Sequence, residues 1–147
     1  MKKLFIATAM AAALTGCSCQ KTTMKDAMTH EWNIDKIDGQ ALDNKGEKTP
    51  FIGLDVEKSR VYGNASCNSL TGGFKAEGDA KKGTIDLSQM GMTRMMCPDM
   101  STETKILEAL SRVKKYRFTK SGSLILADDN DKAVIEMSVR IVTKNSN

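Results

Sequence analysis

Beyond Thr29 the apolar positions fall in short alternating runs broken by turn residues, the pattern of strands joined by tight connections. Trp32, Ile34 and Ile37 predict a first strand ending at Asp38-Gly39. Pro50 to Val56 predicts a second, and Arg60 to Gly63 a third after a turn at Glu57-Lys58-Ser59. Gly72-Gly73 punctuates the chain before a strand at Phe74 to Glu77, and Lys81-Lys82-Gly83 turns into Thr84 to Leu87. Met90 to Met96 reads as a further extended segment. Near the C-terminus, Tyr116 to Lys120 turns at Ser121-Gly122 into Ser123 to Ala127, and Asp128 to Lys132 turns into Ala133 to Arg140. In that last run Val134, Glu136 and Ser138 alternate against Ile135, Met137 and Val139.

One segment has the other period. Ile106, Leu107, Leu110 and Val113 share a face at helical spacing, predicting a helix over about 101–114. Ser101 suits its N-cap, Glu103 lies in its first turn, and Arg112, Lys114 and Lys115 suit its C-terminal dipole. About seven or eight short strands with one late helix make an α+β pattern. The turns are too short for crossover helices, so the sheet is expected to be mostly antiparallel and strongly curved. The helix should pack over one face or one open end of it.

The N-terminus follows neither pattern. Lys2 and Lys3 precede an apolar run from Leu4 to Leu14, which is short of the about 20 residues a membrane span needs. Length and flanks fit a cleaved export signal. The run closes on Leu14-Thr15-Gly16-Cys17, a branched apolar residue, two small ones and a cysteine. That is the lipobox pattern of bacterial lipoproteins: the small residues enter the signal peptidase cleft, and the Cys17 thiol takes a diacylglyceryl group. Residues 1–16 are therefore expected to be a lipoprotein signal peptide and Cys17 a lipidated N-terminus carrying diacylglyceryl and palmitate-type acyl chains. A polar tether over 17–29 would join it to one domain over 30–143. Ser18 follows the cysteine, with no Asp to signal inner-membrane retention, so the expected location is the outer membrane, facing the periplasm.

Charge adds little once the signal is removed. The 147 residues carry 22 Lys+Arg against 18 Asp+Glu. Without Lys2 and Lys3 the balance is 20 to 18, too even to demand a nucleic acid. At 40% apolar the chain is no disordered polymer. A single His disfavours most histidine-based catalysis and multi-His metal sites. Cys19 falls in the tether, leaving Cys67 and Cys97 in the domain, where export would favour their pairing.

Gly63-Asn64-Ala65-Ser66-Cys67-Asn68, followed by Gly72 and Phe74, resembles the Gly-x-x-x-Cys-Asn-x-x-x-Gly-x-aromatic signature of META domains. Thr93-Arg94-Met95-Met96-Cys97 resembles their second signature, Thr-x-Met-x-Cys, and is close to that of a heat-shock lipoprotein of the family. Leu110-x-x-Val113-x-x-Tyr116 and Gly122-x-Leu124-x-Leu126 fit as well, so the resemblance runs from about Trp32 to Val139. It implies a compact α+β domain, a disulfide between Cys67 and Cys97, and an exported, often lipid-anchored protein tied to envelope stress. Gly63, Asn68, Gly72, Thr93 and Met95 are the motif positions it singles out. Many relatives have Gly where this chain has Ser66, so a positive φ there would strain the serine.

The remaining chemistry is sparse. Met90, Met92, Met95, Met96 and Met100 crowd around Cys97, a set of soft ligands suited to Cu(I). Methionine is also a gap-filler, and alternation puts Met95 on the face opposite Met92 and Met96. Core packing is therefore the expected role, with a Met92, Met95 and Met96 copper site as the lesser reading. His30 reads as a surface residue. Asp128-Asp129-Asn130-Asp131 lacks the glycine and closing glutamate of a calcium loop and reads as a hairpin turn. No catalytic triad, phosphate loop or paired-acid constellation is visible. The sequence thus predicts a monomeric, non-catalytic, cofactor-free lipoprotein that binds another envelope component, or alternatively a small apolar ligand or Cu(I).

Overall fold

A computed structural model of the chain describes residues 22–42 and 48–141. The signal segment, Cys17 and Cys19 lie outside the described residues. Eleven strands and two helices follow in the order α1 (Met24–Met28), β1 (Glu31–Ile37), β2 (Gln40–Ala41), β3 (Phe51–Asp55), β4 (Arg60–Asn64), β5 (Ser69–Gly73), β6 (Lys75–Gly78), β7 (Lys82–Asp86), β8 (Met90–Met92), α2 (Ser101–Arg112), β9 (Lys115–Phe118), β10 (Leu124–Ala127) and β11 (Ala133–Val139).

All the strands belong to one antiparallel sheet, ordered β6-β7-β9-β10-β11-β1-β3-β4-β5-β8, with the short β2 paired to β1 off this path. Only Phe74 separates β5 from β6. Yet β5 lies beside the edge strand β8, while β6 is the opposite edge. One residue can join them only if the sheet curls until its two ends approach, which makes it a half-barrel. Phe74 sits buried at this corner, its N–H donating to the Ser59 carbonyl at 3.0 Å.

The concave interior is filled by side chains. Trp32, Ile52, Val61, Tyr116, Leu124, Leu126, Ile135 and Met137 are essentially inaccessible to solvent. Helix α2 closes one opening with Ile106, Ala109, Leu110 and Val113 and packs on β1 and β11. The class and the single late helix are as expected from the sequence. The strand count is higher than seven or eight because β2 is only two residues long, and because β5 ends in the Gly72-Gly73 pair that reads as punctuation. Asp38 and Gly39, at φ +50° and +79°, turn β1 into β2.

Two local expectations are corrected. The stretch read as a tether ends in α1, whose Thr23 side chain accepts from the Asp26 N–H while the Asp26 carboxylate accepts from the Thr23 N–H. Met28 is fully buried, and the Trp32 indole donates to its carbonyl at 3.1 Å, so residues 24–28 are integral to the fold. Helix α2 is not capped by Ser101. Met100 holds the cap position without a side-chain bond, and the Asp99 carboxylate accepts from the Ser101 N–H at 2.8 Å.

The β1–β2 hairpin is tied to the end of α2. Both terminal guanidinium nitrogens of Arg112 donate to the Asp38 carboxylate, at 3.1 and 2.7 Å. This pairing holds the Asp38 carboxyl below the usual aspartate range. Because the folded-state value is depressed, the stabilisation is present above the ordinary Asp pKa and is lost as pH falls through the folded one. Asp38→Asn is therefore expected to flatten the acid limb of a stability-against-pH curve. For so exposed a pair the loss at neutral pH should be no more than about 1 kcal/mol.

Candidate functional site: a clasp built from two signatures

The β4–β5 turn starts at Asn64, whose side chain accepts from the Ser66 N–H at 2.8 Å, while the Ala65 N–H donates to the Asn68 carbonyl at 2.9 Å. This tight geometry puts Ser66 at φ +106°, a conformation glycine adopts at far lower cost. The expectation of strain at Ser66 is met. Ser66→Gly should stabilise the domain by roughly 1 kcal/mol, read as a higher midpoint in urea with unchanged slope. Glycine is required at Gly63 and Gly72 for another reason. A Cβ on Gly63 would collide with the Phe51 carbonyl oxygen of the neighbouring strand, and one on Gly72 with that of Gln89.

Asn68 is fully buried, and every polar atom of its side chain is used. Its Nδ2 donates to Glu103 Oε1 at 3.0 Å and to the Met95 carbonyl at 3.3 Å. Its Oδ1 accepts from Thr93 Oγ1 at 2.9 Å and from the Met95 N–H at 2.7 Å. Its backbone N–H donates to Glu103 Oε2 at 2.9 Å. Thr93 Oγ1 also accepts from the Ser69 N–H at 3.0 Å, and the Thr93 N–H returns to the Ser69 carbonyl at 3.1 Å. The Cys67–Cys97 disulfide, its Cα atoms 6.4 Å apart, adds a covalent tie beside these bonds.

The motif residues thus form a clasp. One asparagine holds the β4–β5 turn, the irregular segment after β8 and the first turn of α2 in a single hydrogen-bonded unit. Met95 contributes through its main chain, and its side chain is 57% exposed. Glu103, at 1% exposure, is the participant that the motif positions do not include. The signal for it was in the sequence: residues 103, 106, 110 and 113 share one helical stripe, and a carboxylate on an apolar stripe needs an internal partner. Its place in the first turn of α2 also sets its charge against the positive end of the helix dipole.

The methionines divide. Met90 and Met92 pack against the core as expected. Met95, Met96 and Met100 do not; they are 57%, 100% and 40% exposed, so the packing expectation is corrected for these three. A fully exposed Met96 side chain meets no neighbour, so the structure does not bring Met92, Met95 and Met96 together as a ligand set. Cys97 is bonded to Cys67. Among the described residues no group of three or more His, Cys, Asp or Glu is placed to hold a metal. His30 is exposed, edge-on to Trp32. Asp128 Oδ1 accepts from the N–H groups of Asn130 and Lys132 at 2.9 and 3.0 Å, making the expected hairpin turn.

Beside the clasp runs a groove of about 370 Å³ between the edge strand β8 and α2. Leu70, Met90, Met92, Leu107 and Leu110 line it, with Arg94 and Lys114 among its polar residues.

The order of these parts matches a known pattern over most of the chain: the sequence model of the META domain matches residues 22–139. The chain belongs to the META domain family. The matched span starts just before α1, in agreement with the buried Met28. Two solved structures share the fold. One is the NMR structure of a protein from Burkholderia xenovorans, with a TM-score of 0.59 and 16% identity, covering 97% of this chain and 100% of that one. The other is the crystal structure of a DUF4847-family protein from Bacteroides vulgatus, with a TM-score of 0.54 and 16% identity, covering 79% of this chain and 96% of that one. No curated protein matches the chain. In this META domain the two signatures are the two halves of one clasp, joined through Asn68.

Proposed function

We propose that the protein is a lipid-anchored lipoprotein of the bacterial envelope, held at the outer membrane facing the periplasm. Its META domain acts by binding rather than by catalysis, in a role linked to envelope stress. The observation that carries the location is the order basic residues, short apolar run, Leu14-Thr15-Gly16-Cys17. The clasp supports the non-catalytic reading: its polar atoms are engaged with one another, so the signature is spent on architecture. The groove between β8 and α2 is the concave surface beside that architecture and the place where a partner or an apolar ligand would rest.

A photo-crosslinking residue at position 107, in the groove wall, tests this in living cells. The expected result is a discrete crosslink to one envelope protein, absent when the same residue replaces Ser121 on a distant turn. Equal smears from both positions would count against a binding role. A second reading, a small apolar ligand, is favoured by the apolar lining of the groove. It predicts that a fluorescent fatty acid binds the full-length protein and is lost in Leu107→Arg.

A further inference from the structure

Strand β8 is an outer edge of the sheet, and its ladder serves one side only. The Thr93 N–H donates to the Ser69 carbonyl at 3.1 Å, and the Gly73 N–H to the Gln89 carbonyl at 3.3 Å. With Leu70 opposite Met92 and Gly72 opposite Met90, positions 89, 91 and 93 turn their main-chain groups towards β5. Direction alternates along an antiparallel strand, so positions 90 and 92 turn theirs outwards. The Met90 N–H is taken by the Leu87 carbonyl at 3.2 Å. The Met90 carbonyl and both main-chain groups of Met92 are left on the open edge, where each calls for a partner.

This edge borders the groove beside α2. Met90, Gly91 and Met92 all line it. Successive residues of a strand point to opposite faces, so three in a row border a cleft only along an edge. Leu70, Leu107 and Leu110 supply its apolar wall, and Asp86, Arg94 and Lys114 its charges. The Asp86 carboxylate accepts from the Ser88 N–H at 2.8 Å and lies within electrostatic reach of Lys114, so those two charges balance. Arg94 is exposed and has no hydrogen-bond or ion-pair partner among the described residues. It is the charge of the lining left over, two residues beyond Met92. The clasp fixes it there, because Asn68 holds Thr93 on one side and Met95 on the other.

We propose that the groove takes an extended segment of another protein. The segment pairs with β8 as an added strand, sets apolar side chains against Leu70, Leu107 and Leu110, and brings a carboxylate to Arg94. A fatty acid matches the wall and the arginine but has no amide groups for Met90 and Met92, so the open edge favours a peptide. The inference rests on the binding reading of this groove and names its occupant.

The test starts from the crosslinker at position 107 of the full-length protein in cells. The partner segment it captures is located by mass spectrometry, synthesised, and titrated into the full-length protein in detergent micelles. Wild type is compared with Met92→Pro, Met92→Leu and Arg94→Glu. Proline removes the outward N–H and no bond to β5, and edge strands accept it at such a position, so Met92→Pro should keep native circular dichroism. It should weaken binding about tenfold, the order of one lost hydrogen bond, whereas Met92→Leu should bind as wild type does. Arg94→Glu, a change on an exposed side chain, should weaken binding by a similar factor without depending on how proline is tolerated. In the wild type the Met92 amide should exchange fast when free and slowly in the complex. Full-strength binding to Met92→Pro, or a Met92 amide equally fast in the complex, would overturn the added strand and leave the groove a binding site. Full-strength binding to Arg94→Glu would overturn the carboxylate. A captured acyl chain in place of a peptide would overturn the proposal in favour of a lipid. No crosslink from position 107 in the wild type would instead overturn the binding reading, and the added strand with it.

Discussion

Asn68→Ala is expected to cost about 3–5 kcal/mol of stability, because it leaves several buried polar groups unpaired at about 1–3 kcal/mol each. The loss is large because the asparagine serves three elements at once. Its removal strands the inaccessible Glu103 carboxylate without the Nδ2 donor, and leaves Thr93 Oγ1 and the Met95 N–H without their acceptor. A buried polar group left unpaired costs far more than an average hydrogen bond contributes. Urea unfolding followed by tryptophan fluorescence reads the effect, since Trp32 is the only tryptophan and lies in the core. Glu103→Ala should be destabilising for the same reason. The double variant should lose clearly less than the sum, because either single change already breaks the shared unit. Simple additivity would mean that the two residues act separately and would remove the clasp as an explanation of the signatures.

Replacing both Cys67 and Cys97 by alanine is expected to cost about 3–4 kcal/mol, by the entropy of opening a closed loop of 31 residues, counted as 97 − 67 + 1. The disulfide and Asn68 fasten the same segment to the β4–β5 turn. The disulfide-free protein should therefore keep its native circular dichroism, with the hydrogen-bonded half of the clasp holding alone. Adding Asn68→Ala to that variant should then melt the segment after β8 and loosen α2 with it. A disulfide-free protein that already lacks native dichroism would show the hydrogen bonds to be a consequence of the bridge and not an independent tie.

Much of this arrangement can be read from the order of residues, and the exceptions have physical causes. Strands β1, β3, β4 and β7, and β9 to β11, stand out because each is a short run rich in β-branched, aromatic or aliphatic residues bounded by turn residues. Strand β5 is hidden by Gly72-Gly73, which signals a turn in isolation but here lets the backbone of β8 come close. Helix α1 is one turn long and carries no period; its evidence is a local capping exchange at Thr23 and Asp26 and a tertiary contact at Met28.

At the site, the motif positions Gly63, Asn68, Gly72, Thr93 and Met95 and the two cysteines do come together in space. Their roles could not be read from spacing alone. Asn68 looks like a turn residue in sequence, whereas its side-chain bonds run to positions 25 to 35 residues away. Glu103 looks like an ordinary first-turn acid until its place on the Ile106–Leu110 stripe is noticed. The exposure of Met95, Met96 and Met100 escapes alternation arguments because the segment after β8 follows Asn68 and the disulfide instead of a strand's pleat.

Native-state hydrogen exchange of the Met95 amide tests the clasp most directly. That N–H lies in a segment with no regular secondary structure, and its only protection in this account is the buried Oδ1 of Asn68. The account predicts that it opens with the free energy of core amides such as Ile135 in β11, and that Asn68→Ala alone collapses that protection. Exchange of Met95 at the rate of the exposed Asn130 turn, with Ile135 still slow, would contradict it.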